Sequence, residues 1–459
     1  MKSIKDRIEE EISGRSILIL GFGREGRSTY KTLRGFFPKL ELCIADKNVK
    51  LANDKELQDD SYTSWVLGEG YMKALPLFDL IYKTPGISLS GYQKPSGQII
   101  SSQTDLFIKL FGKQIIGVTG TKGKSTTVSL IHHILTAYGL KSFLVGNIGV
   151  PALEIVDYVD EDTTIIYELS SHQLEFCKNS PHIAVFLNLF EEHLDHYISF
   201  LAYQMAKVSI TKYQTANDYL IYSLDNLLLS NRIKECENKA TKVAFSISKK
   251  RANSYVEDNK LVLNDGRVIT MDVDRIPLAG KHNLQNILAA FNACVILGLD
   301  TDKMLTSLYD FTPLPHRLEW VGEYEGISFV NDSIATIPEA TISAIKTYDD
   351  LDTIILGGFN RCIDYSLLVE YLKKAKLKNI ILTGEVGEMI KNELDAIDCK
   401  SNIFMANNMD EIVRLAYEYT AKGKLCLLSP AASSYDNFKN FEDRGDQYKK
   451  KVREFVSHP

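Results

Sequence analysis

A glycine-rich segment that contains lysine, GVTGTKGKSTT at 117–127, has the residue types needed to bind phosphate. Glycines in such a turn let backbone N–H groups point toward an anion, and the lysine before the helix places a positive charge near the β- and γ-phosphates. A serine or threonine that follows can reach Mg²⁺. The segment departs from the pattern G-x-x-x-x-G-K-[ST] at Val118, which occupies the position of the first glycine.

The apolar run before this segment, 114–118, favours a strand that leads into the turn. A triphosphate site is therefore a better interpretation than a tight strand–helix turn with an incidental lysine. The predicted ATP-binding residues of the loop are Gly120, Thr121, Lys122, Gly123, Lys124, Ser125 and Thr126.

A second glycine loop, GFGREG at 21–26, matches G-x-G-x-x-G, and Asp46 follows about 20 residues later. The pattern is typical of dinucleotide sites, but the same geometry can hold the diphosphate and the ribose or uridine of a nucleotide-sugar. We prefer the nucleotide-sugar because the chain already has a phosphate loop. The turn 84–86 closes the other side of this site or is a simple turn. The candidate residues are Gly23, Arg24, Glu25, Asp46, Thr84, Pro85 and Gly86.

Carboxylate and imidazole side chains cluster in two further segments, YELSSHQLE at 167–175 and NLFEEHLDH at 188–196. Oxygen-rich ligands with an occasional imidazole suit Mg²⁺ beside a triphosphate better than Zn²⁺. Glu168 and His193 are the preferred ligands, jointly with the phosphate loop. The second segment also offers Glu192, Asp195 and His196. We interpret three histidines as structural: His172, His182 and His196.

Lys207 lies on a predicted helix over 200–213. Leu201, Met205 and Val208 recur at i, i+4 and i+7, which predicts the apolar face of that helix. Lys207 flanks this face. The spacing alone therefore predicts a lysine whose stem packs on apolar surface while its ammonium group reaches water.

Composition places these motifs in an ordinary globular protein, with 459 residues, 45% hydrophobic and 24% charged residues. A net charge of −6 argues against nucleic acid or an anionic membrane as the main partner. The seven cysteines form no C-x-x-C pair, so neither a disulfide framework nor a zinc cluster is expected. No signal peptide or membrane-spanning run is expected either, and a cytoplasmic location is predicted.

Short β-branched runs alternate with helical periodicity, which predicts an α/β protein with mainly parallel sheets and ligands at the carboxyl ends of the strands. The predicted strands are 16–20, 114–118, 163–167, 182–187, 353–356, 379–382 and 424–428. The segment 260–270, with Asp265-Gly266 at its centre, predicts a hairpin. Strands enter glycine turns at Gly21, Gly120 and Gly357, which indicates three α/β units with candidate boundaries at 102–113 and 311–316.

Motifs along nearly the whole chain resemble those of the ATP-dependent Mur ligases of peptidoglycan synthesis. Beyond GFGREG, the TPG turn and the phosphate loop, the matching strings are GNIG (146–149), ELSSHQLE (168–175), EEHLDHY (191–197), MAK (205–207), GKHNLQN (280–286), PHRLE (315–319), NDSIAT (331–336), GG (357–358) and LSPAASSYDNFKNFEDRGDQY (428–448).

This resemblance implies three domains: an N-terminal Rossmann-like domain for UDP at 1–108, a central P-loop mononucleotide-binding domain for ATP at 109–313, and a C-terminal Rossmann-like domain for the incoming amino acid at 314–459. It implies amide-bond formation through an acyl phosphate, with ATP, UDP-N-acetylmuramoyl-L-alanine and glutamate as substrates and Mg²⁺ as cofactor. We expect a monomer.

The resemblance also implies roles for individual residues. The catalytic group would be Lys124, Glu168, His193 and Lys207. The Mg²⁺ ligands would be Ser125, Glu168, His193 and an N-carbamoylated Lys207. The muramoyl substrate would also meet Asn147 and His193. The remaining ATP contacts would be Asn286, at the adenine, with Arg317 and Asp332 from the C-terminal domain. Glutamate would be bound by Thr336, Arg361, Ser434 and Phe441.

The chain departs from the family pattern at five residues in four places. Lys122 stands where asparagine is common, Lys47-Asn48 where an arginine is often found, and Ile334 and Arg361 where lysines are expected. The string 428–448 favours D-glutamate. Ile334 and Arg361 leave the same ligation with L-glutamate as the alternative, because lysine and arginine are not equivalent at a carboxylate site.

Three other interpretations account for less of the sequence. Folylpolyglutamate synthase shares the central loop but lacks a GFGREG-type domain. A nucleotide-binding protein without catalysis would be expected to lose Glu168, His193 or Lys207. An NAD-dependent oxidoreductase would leave GTKGKSTT unexplained.

Overall fold

The computed structural model describes residues 2–192, 196–278, 281–313, 315–360, 364–396 and 399–457. Strands and helices alternate through this part of the chain and form three sheets, which confirms the α/β class. The chain divides into two compact units. The first contains residues 1–276 and 282–311, and the second contains residues 277–281 and 312–459.

The first sheet carries the GFGREG loop and is parallel, in the order β3-β2-β1-β4-β5. Its strands are β1 (Ile17–Leu20), β2 (Leu42–Asp46), β3 (Thr63–Leu67), β4 (Leu80–Lys83) and β5 (Ile99–Ser101). The accompanying helices are α1 (Ile4–Ile12), α2 (Arg24–Phe36), α3 (Lys55–Gln58) and α4 (Gln103–Phe111).

The second sheet carries the phosphate loop, in the order β14-β13-β12-β11-β10-β9-β6-β8-β7. Its strands are β6 (Ile115–Thr119), β7 (Ser142–Gly146), β8 (Thr164–Glu168), β9 (Ile183–Phe186), β10 (Tyr219–Ser223), β11 (Thr241–Ser246), β12 (Ser254–Glu257), β13 (Lys260–Val262) and β14 (Val268–Thr270). Its helices are α5 (Lys124–Ala137), α6 (Ser171–Leu174), α7 (Phe200–Lys212), α8 (Leu227–Glu235), α9 (Lys281–Ile296) and α10 (Thr301–Tyr309).

One hydrophobic core continues from the first sheet into the second. Helix α4 links them: Ser102 accepts a hydrogen bond from the Asp105 amide and caps the helix, and the Phe107 ring packs edge-on against Tyr167 of β8, with ring centroids 5.8 Å apart. The two sheets therefore belong to one compact unit. The predicted division at 108/109 falls within α4, and the division into three domains stays a prediction.

The third sheet lies in the second unit, in the order β15-β16-β20-β17-β18-β19. Its strands are β15 (Glu319–Tyr324), β16 (Ile327–Asn331), β17 (Leu351–Gly357), β18 (Asn379–Thr383), β19 (Asn402–Ala406) and β20 (Lys424–Leu428). Its helices are α11 (Pro338–Ile345), α12 (Ser366–Lys374), α13 (Gly384–Ala396), α14 (Met409–Tyr419) and α15 (Phe441–Ser457). Separate apolar clusters cover its two faces.

All seven strands predicted from β-branched runs are present, with bounds that differ by at most two residues. The predicted hairpin is formed by β13 and β14 at the edge of the second sheet, as expected. Among the described residues, no helix is long and apolar enough to cross a membrane.

The predicted apolar face of α7 is wrong for two of its three residues, since only Val208 is buried. Leu201 and Met205 are exposed, whereas Tyr203, Ala206 and Ile210 are buried. The helix presents to the core the face that carries Lys207, so the apolar residues at i and i+4 misidentified its orientation.

Candidate functional site

The phosphate loop joins the end of β6 to the start of α5. Gly123 precedes the helix with φ +88°, a left-handed conformation that glycine adopts without strain. A Cβ atom at Gly123 would also clash with Oδ1 of buried Asn286 on α9. The structure thus brings Asn286, the predicted adenine contact, directly against the loop.

Two lysine side chains converge on one carbonyl oxygen of this loop. Lys124 Nζ and Lys207 Nζ each donate a hydrogen bond to Gly120 O, both at 2.9 Å, and Lys124 Nζ also donates to Thr121 O at 3.1 Å. The nearby Lys122 ammonium lies 3.2 Å from Glu192 Oε1. The loop therefore concentrates positive charge where the anionic phosphates of a nucleotide are predicted.

Lys207 is buried, so the prediction that its ammonium group reaches water is wrong. Its Nζ lies under the phosphate loop because α7 turns this face inward. Burial, reinforced by the positive charge of Lys124, lowers the pKa of Lys207 well below its usual value. The carboxylates of Glu192 and Glu168 act in the opposite direction. Compared with a lysine in water, this environment shifts the protonation equilibrium toward the neutral amine.

Glu168 ends β8, between β6 and β7. It is fully buried; Oε1 accepts a hydrogen bond from Asn147 Nδ2 at 2.8 Å, and among the described residues Oε2 has no hydrogen-bond partner. A buried carboxylate oxygen without a donor is costly unless a cation or another donor meets it. Glu168 and the predicted substrate contact Asn147 therefore lie together, and the free oxygen fits a cation ligand.

Two of the other predicted Mg²⁺ ligands lie near the ends of the same strands. Ser125 is half-buried in the first turn of α5, and Lys207 lies under the loop. His193 and Asp195 lie outside the described residues. Within the described stretches, no group of three His, Cys, Asp or Glu side chains is arranged to hold a metal. The predicted Mg²⁺ site does not need three such side chains, because Ser125 and a carbamoylated Lys207 would supply two of its four ligands.

Asn188 is a site residue that the sequence reasoning missed. Its Oδ1 accepts a hydrogen bond from the Lys122 amide at 2.8 Å, and its Nδ2 donates to Lys122 O at 2.9 Å. This reciprocal pair fixes the tip of the phosphate loop. The available signal was its position just after β9, at the carboxyl edge where ligands bind.

The GFGREG loop is built by close approach of backbone and side chains. A Cβ atom at Gly26 would clash with Gly21 O, and one at Gly21 would clash with the Thr84 hydroxyl. The TPG turn therefore lies against the loop. Asp46 Oδ2 accepts a hydrogen bond from the Phe22 amide at 2.7 Å, so this carboxylate already orders the loop that a ribose would approach.

Two residues of the same loop contact the second sheet. Arg24 donates a hydrogen bond to Gly149 O at 3.0 Å, and Glu25 Oε1 accepts one from Gln173 Nε2 at 2.7 Å. Burial raises the pKa of Glu25. The predicted nucleotide-sugar loop thus reaches the segments next to Asn147 and Glu168 within the first unit.

Two of the histidines interpreted as structural have carboxylate neighbours. His182 Nδ1 lies 2.9 Å from Asp218 Oδ1, and His196 Nε2 lies 3.2 Å from Glu175 Oε2. The His172 ring packs edge-on against His196, with centroids 4.3 Å apart. These contacts agree with packing roles.

In the second unit, Asp332 is buried beyond the end of β16. It accepts hydrogen bonds from the Leu318 amide at 3.2 Å and from Ser429 Oγ at 2.8 Å. Burial raises the pKa of Asp332 to about 7, although the positive charge of Arg317 opposes this shift. The two predicted ATP contacts of this unit, Arg317 and Asp332, therefore lie close enough to interact.

Arg444 is a second residue that the sequence reasoning missed. It is buried, and it donates hydrogen bonds to Ser333 Oγ at 2.9 Å and to Ala432 O at 3.1 Å. Burial lowers its pKa to about 10. Ser333 Oγ in turn donates to Phe441 O at 2.8 Å. The available signal for Arg444 was the presence of a charged residue inside the string 428–448.

Of the predicted glutamate contacts, Phe441 begins α15 and buried Ser434 follows Ser433, which pairs with Phe359. Thr336 is half-buried between β16 and α11. Arg361 lies outside the described residues. Arg444 thus links two of the strings from which the glutamate contacts were predicted, 331–336 and 428–448.

The fold and this site define an α/β protein with a phosphate loop between a strand and a helix and an unpaired carboxylate oxygen at a neighbouring strand end. Two family models match the chain: the Mur ligase middle domain at residues 118–294 and the Mur ligase glutamate ligase domain at residues 316–432. The chain belongs to the Mur ligase family.

Two relatives match almost end to end. A UDP-N-acetylmuramoylalanine--D-glutamate ligase of Clostridium botulinum is 32% identical, covering 98% of this chain and 99% of the relative. The enzyme of that name from Acetivibrio thermocellus is 33% identical, covering 97% of each chain. Among solved structures, the MurF ligase of Thermotoga maritima has a similar fold, with a TM-score of 0.60, 17% identity and coverage of 99% and 100%.

Proposed function

We propose that this protein joins D-glutamate to the L-alanine carboxylate of UDP-N-acetylmuramoyl-L-alanine with ATP, a step of peptidoglycan precursor synthesis in the cytoplasm. The observation that carries this proposal is the end-to-end similarity, at 32% identity, to a ligase of that name. The phosphate loop and buried Glu168 supply the chemistry that such a reaction needs.

A carboxylate is a poor electrophile, so it must be activated before an amine can attack it. In the proposed reaction, a carboxylate oxygen of L-alanine attacks the γ-phosphorus and ADP leaves, which gives an acyl phosphate. The glutamate amine then attacks the carbonyl carbon, and phosphate leaves from the tetrahedral intermediate as the amine loses its proton. Positioning and charge neutralisation accelerate such transfers without a protein nucleophile.

Lys124 is the proposed contact of the β- and γ-phosphates. Its ammonium group already lies over the loop, bonded to Gly120 O and Thr121 O, and turning it toward a phosphate exchanges these carbonyls for a stronger, charged acceptor. The other proposed ATP contacts are the remaining loop residues, with Asn286, Arg317 and Asp332.

We propose that Mg²⁺ is held by Ser125, Glu168, His193 and Lys207 as its carbamate. The unpaired Glu168 Oε2 supports the fit. When bound, Mg²⁺ neutralises charge on the phosphate oxygens. Only a neutral amine adds to CO₂, giving a carbamate and a proton, and the lowered pKa of buried Lys207 favours that form. Carbamoylation also gives the buried Lys207 side chain an anionic oxygen that can act as a ligand near Glu168.

The two substrates are assigned to different loops. The proposed contacts of the UDP-linked substrate are Gly23, Arg24, Glu25, Asp46, Thr84, Pro85, Gly86, Asn147 and His193. The proposed glutamate contacts are Thr336, Arg361, Ser434 and Phe441. We also propose a division into three domains at 108/109 and 313/314, and a monomeric state.

The direct test measures phosphate release from ATP and Mg²⁺ with UDP-N-acetylmuramoyl-L-alanine and either D- or L-glutamate, and identifies the product by mass. We expect release that needs all substrates and prefers D-glutamate. Preference for L-glutamate would favour the alternative ligation, and release independent of glutamate would refute both. A titration with NADH, in which no binding is expected, separates the oxidoreductase interpretation.

A further inference from the structure

Helix α6 follows Glu168 in the chain, and two polar side-chain pairs attach it to segments of the first sheet. Gln173 in the helix donates its hydrogen bond to Glu25 of the GFGREG loop. Glu175, the residue after the helix, accepts a hydrogen bond from Lys83 Nζ at 3.1 Å. Lys83 ends β4 and immediately precedes the TPG turn.

The pair formed by Lys83 and Glu175 is an unusual feature because it is largely shielded from water. The Lys83 side chain is 2% exposed and that of Glu175 is 19% exposed. The Lys83 ammonium also lies over the Phe176 ring, 5.3 Å from its centroid, and Glu175 Oε2 also contacts His196 Nε2. Separating the two partners of a buried pair would leave each charge uncompensated. The pair therefore holds the end of β4 and the end of α6 together.

A second connection links the GFGREG loop to the end of β8, through the segment 147–149. Arg24 donates to Gly149 O, and two residues earlier Asn147 bonds to Glu168 with its side chain at 2.8 Å and with its amide at 3.1 Å. The GFGREG loop and the end of β4 therefore hold both segments that flank the Glu168 carboxylate.

We propose that Lys83 and Glu175 are positioning residues: through α6, their ion pair transmits occupancy of the nucleotide-sugar site to the segment that carries Glu168. This inference rests on the proposed function for the identity of the ligand. Filling the loop restrains Lys83 and Glu25 together, and their partners Glu175 and Gln173 then hold α6 in one place relative to Glu168.

The test is hydrogen exchange of the full chain, with and without UDP-N-acetylmuramoyl-L-alanine, in the absence of ATP and Mg²⁺. In the wild type, the ligand should slow exchange at 21–28 and at 169–177. In Lys83→Met, which keeps the aliphatic stem, slowing at 21–28 should persist while slowing at 169–177 falls roughly tenfold. Glu175→Gln should behave in the same way, and this variant provides the test if Lys83→Met does not fold.

Kinetics provide the second readout. Lys83→Met should lower kcat roughly tenfold with a smaller change in KM for the UDP-linked substrate, and the double variant with Glu175→Gln should be little worse than either single variant. Lys83→Arg keeps the cation and should retain more activity than Lys83→Met. Lys109→Met, which breaks the 2.7 Å pair with Glu11 in the same unit, is the matched control and should behave as wild type.

Unchanged slowing at 169–177 in both Lys83→Met and Glu175→Gln would overturn the proposal, as would its absence in the wild type despite binding. A wild type that binds the ligand and shows this slowing but does not ligate glutamate would instead refute the proposed function. Failure of the wild type to bind the ligand would overturn both.

Discussion

At the scale of single residues, Lys124 is the cation placed to meet the terminal phosphates. Lys124→Ala should reduce turnover at least about 100-fold, or roughly 3 kcal/mol, because a preorganised charge is lost where negative charge is transferred. Binding of the UDP-linked substrate should survive. Steady-state kinetics and calorimetric titration measure the two effects. Lys141→Ala, which removes an exposed pair with Asp160, is the control, and near-normal ligation by Lys124→Ala would exclude the phosphate-loop assignment.

Substitutions at Lys207 test whether this buried lysine acts as an anionic carbamate. Lys207→Ala should be nearly inactive and partly rescued by a short-chain carboxylate, because such an ion can restore an anionic oxygen under the loop. Lys207→Arg should remain inactive, since guanidinium cannot be carbamoylated under these conditions and stays cationic. Activity assays with added carboxylate and intact-protein mass measurement check this. A fully active Lys207→Arg would show that the role is cationic.

Asp332 should make stability depend on pH. Its folded pKa of about 7 lies above the ordinary value of 3.8, so the folded state binds its proton more tightly, and stability falls as pH rises from about 4 to about 7. Asp332→Asn removes this titration. The free energy of unfolding of the variant minus that of the wild type should increase by about 2–3 kcal/mol between pH 5 and pH 8. Urea denaturation at the two pH values measures this difference in the free energy of unfolding. A difference that does not change with pH would contradict the raised pKa of Asp332.

At the scale of elements, the strand–turn–helix unit from β6 to α5 depends on Gly123. Gly123→Ala should destabilise the chain by more than the roughly 1 kcal/mol expected for left-handed alanine, because its Cβ also meets Asn286, and ATP binding should be lost. Gly139→Ala is the matched control, since Gly139 has φ +73° with nothing within 4 Å of its Cβ position. Thermal unfolding compares the two. Equal losses would show that the contact with Asn286 is unimportant.

The elements around the loops could be predicted from local pattern. Buried parallel strands such as β1 and β9 are continuous apolar runs, and GFGREG and GTKGKST mark where helices begin. The orientation of α7 could not be predicted from local pattern. Leu201 and Met205 resemble a core face, whereas the helix buries Lys207 and Gln204 through tertiary contacts. Local apolar periodicity does not reveal a buried polar site.

Site residues were predictable where a motif carried them and not where they act through distant partners. Lys124 and Glu168 lie in short strings with a chemical rationale. Lys83, Asn188 and Arg444 bond to residues 92, 66 and 111 positions away, respectively, and spacing along the chain contains no signal for such pairs.

At the scale of the whole molecule, the proposed ligation consumes a carboxylate, an amine and ATP, and the phosphate loop lies in the first unit. In this reaction the L-alanine carboxylate is activated by the γ-phosphate. The most direct measurement uses UDP-N-acetylmuramoyl-L-alanine with ¹⁸O in that carboxylate, together with D-glutamate, ATP and Mg²⁺, and mass analysis of the released phosphate. With both carboxylate oxygens labelled, we expect one ¹⁸O atom in each phosphate, because the bridging oxygen of the acyl phosphate leaves with phosphorus. Unlabelled phosphate formed together with the amide product would contradict this activation.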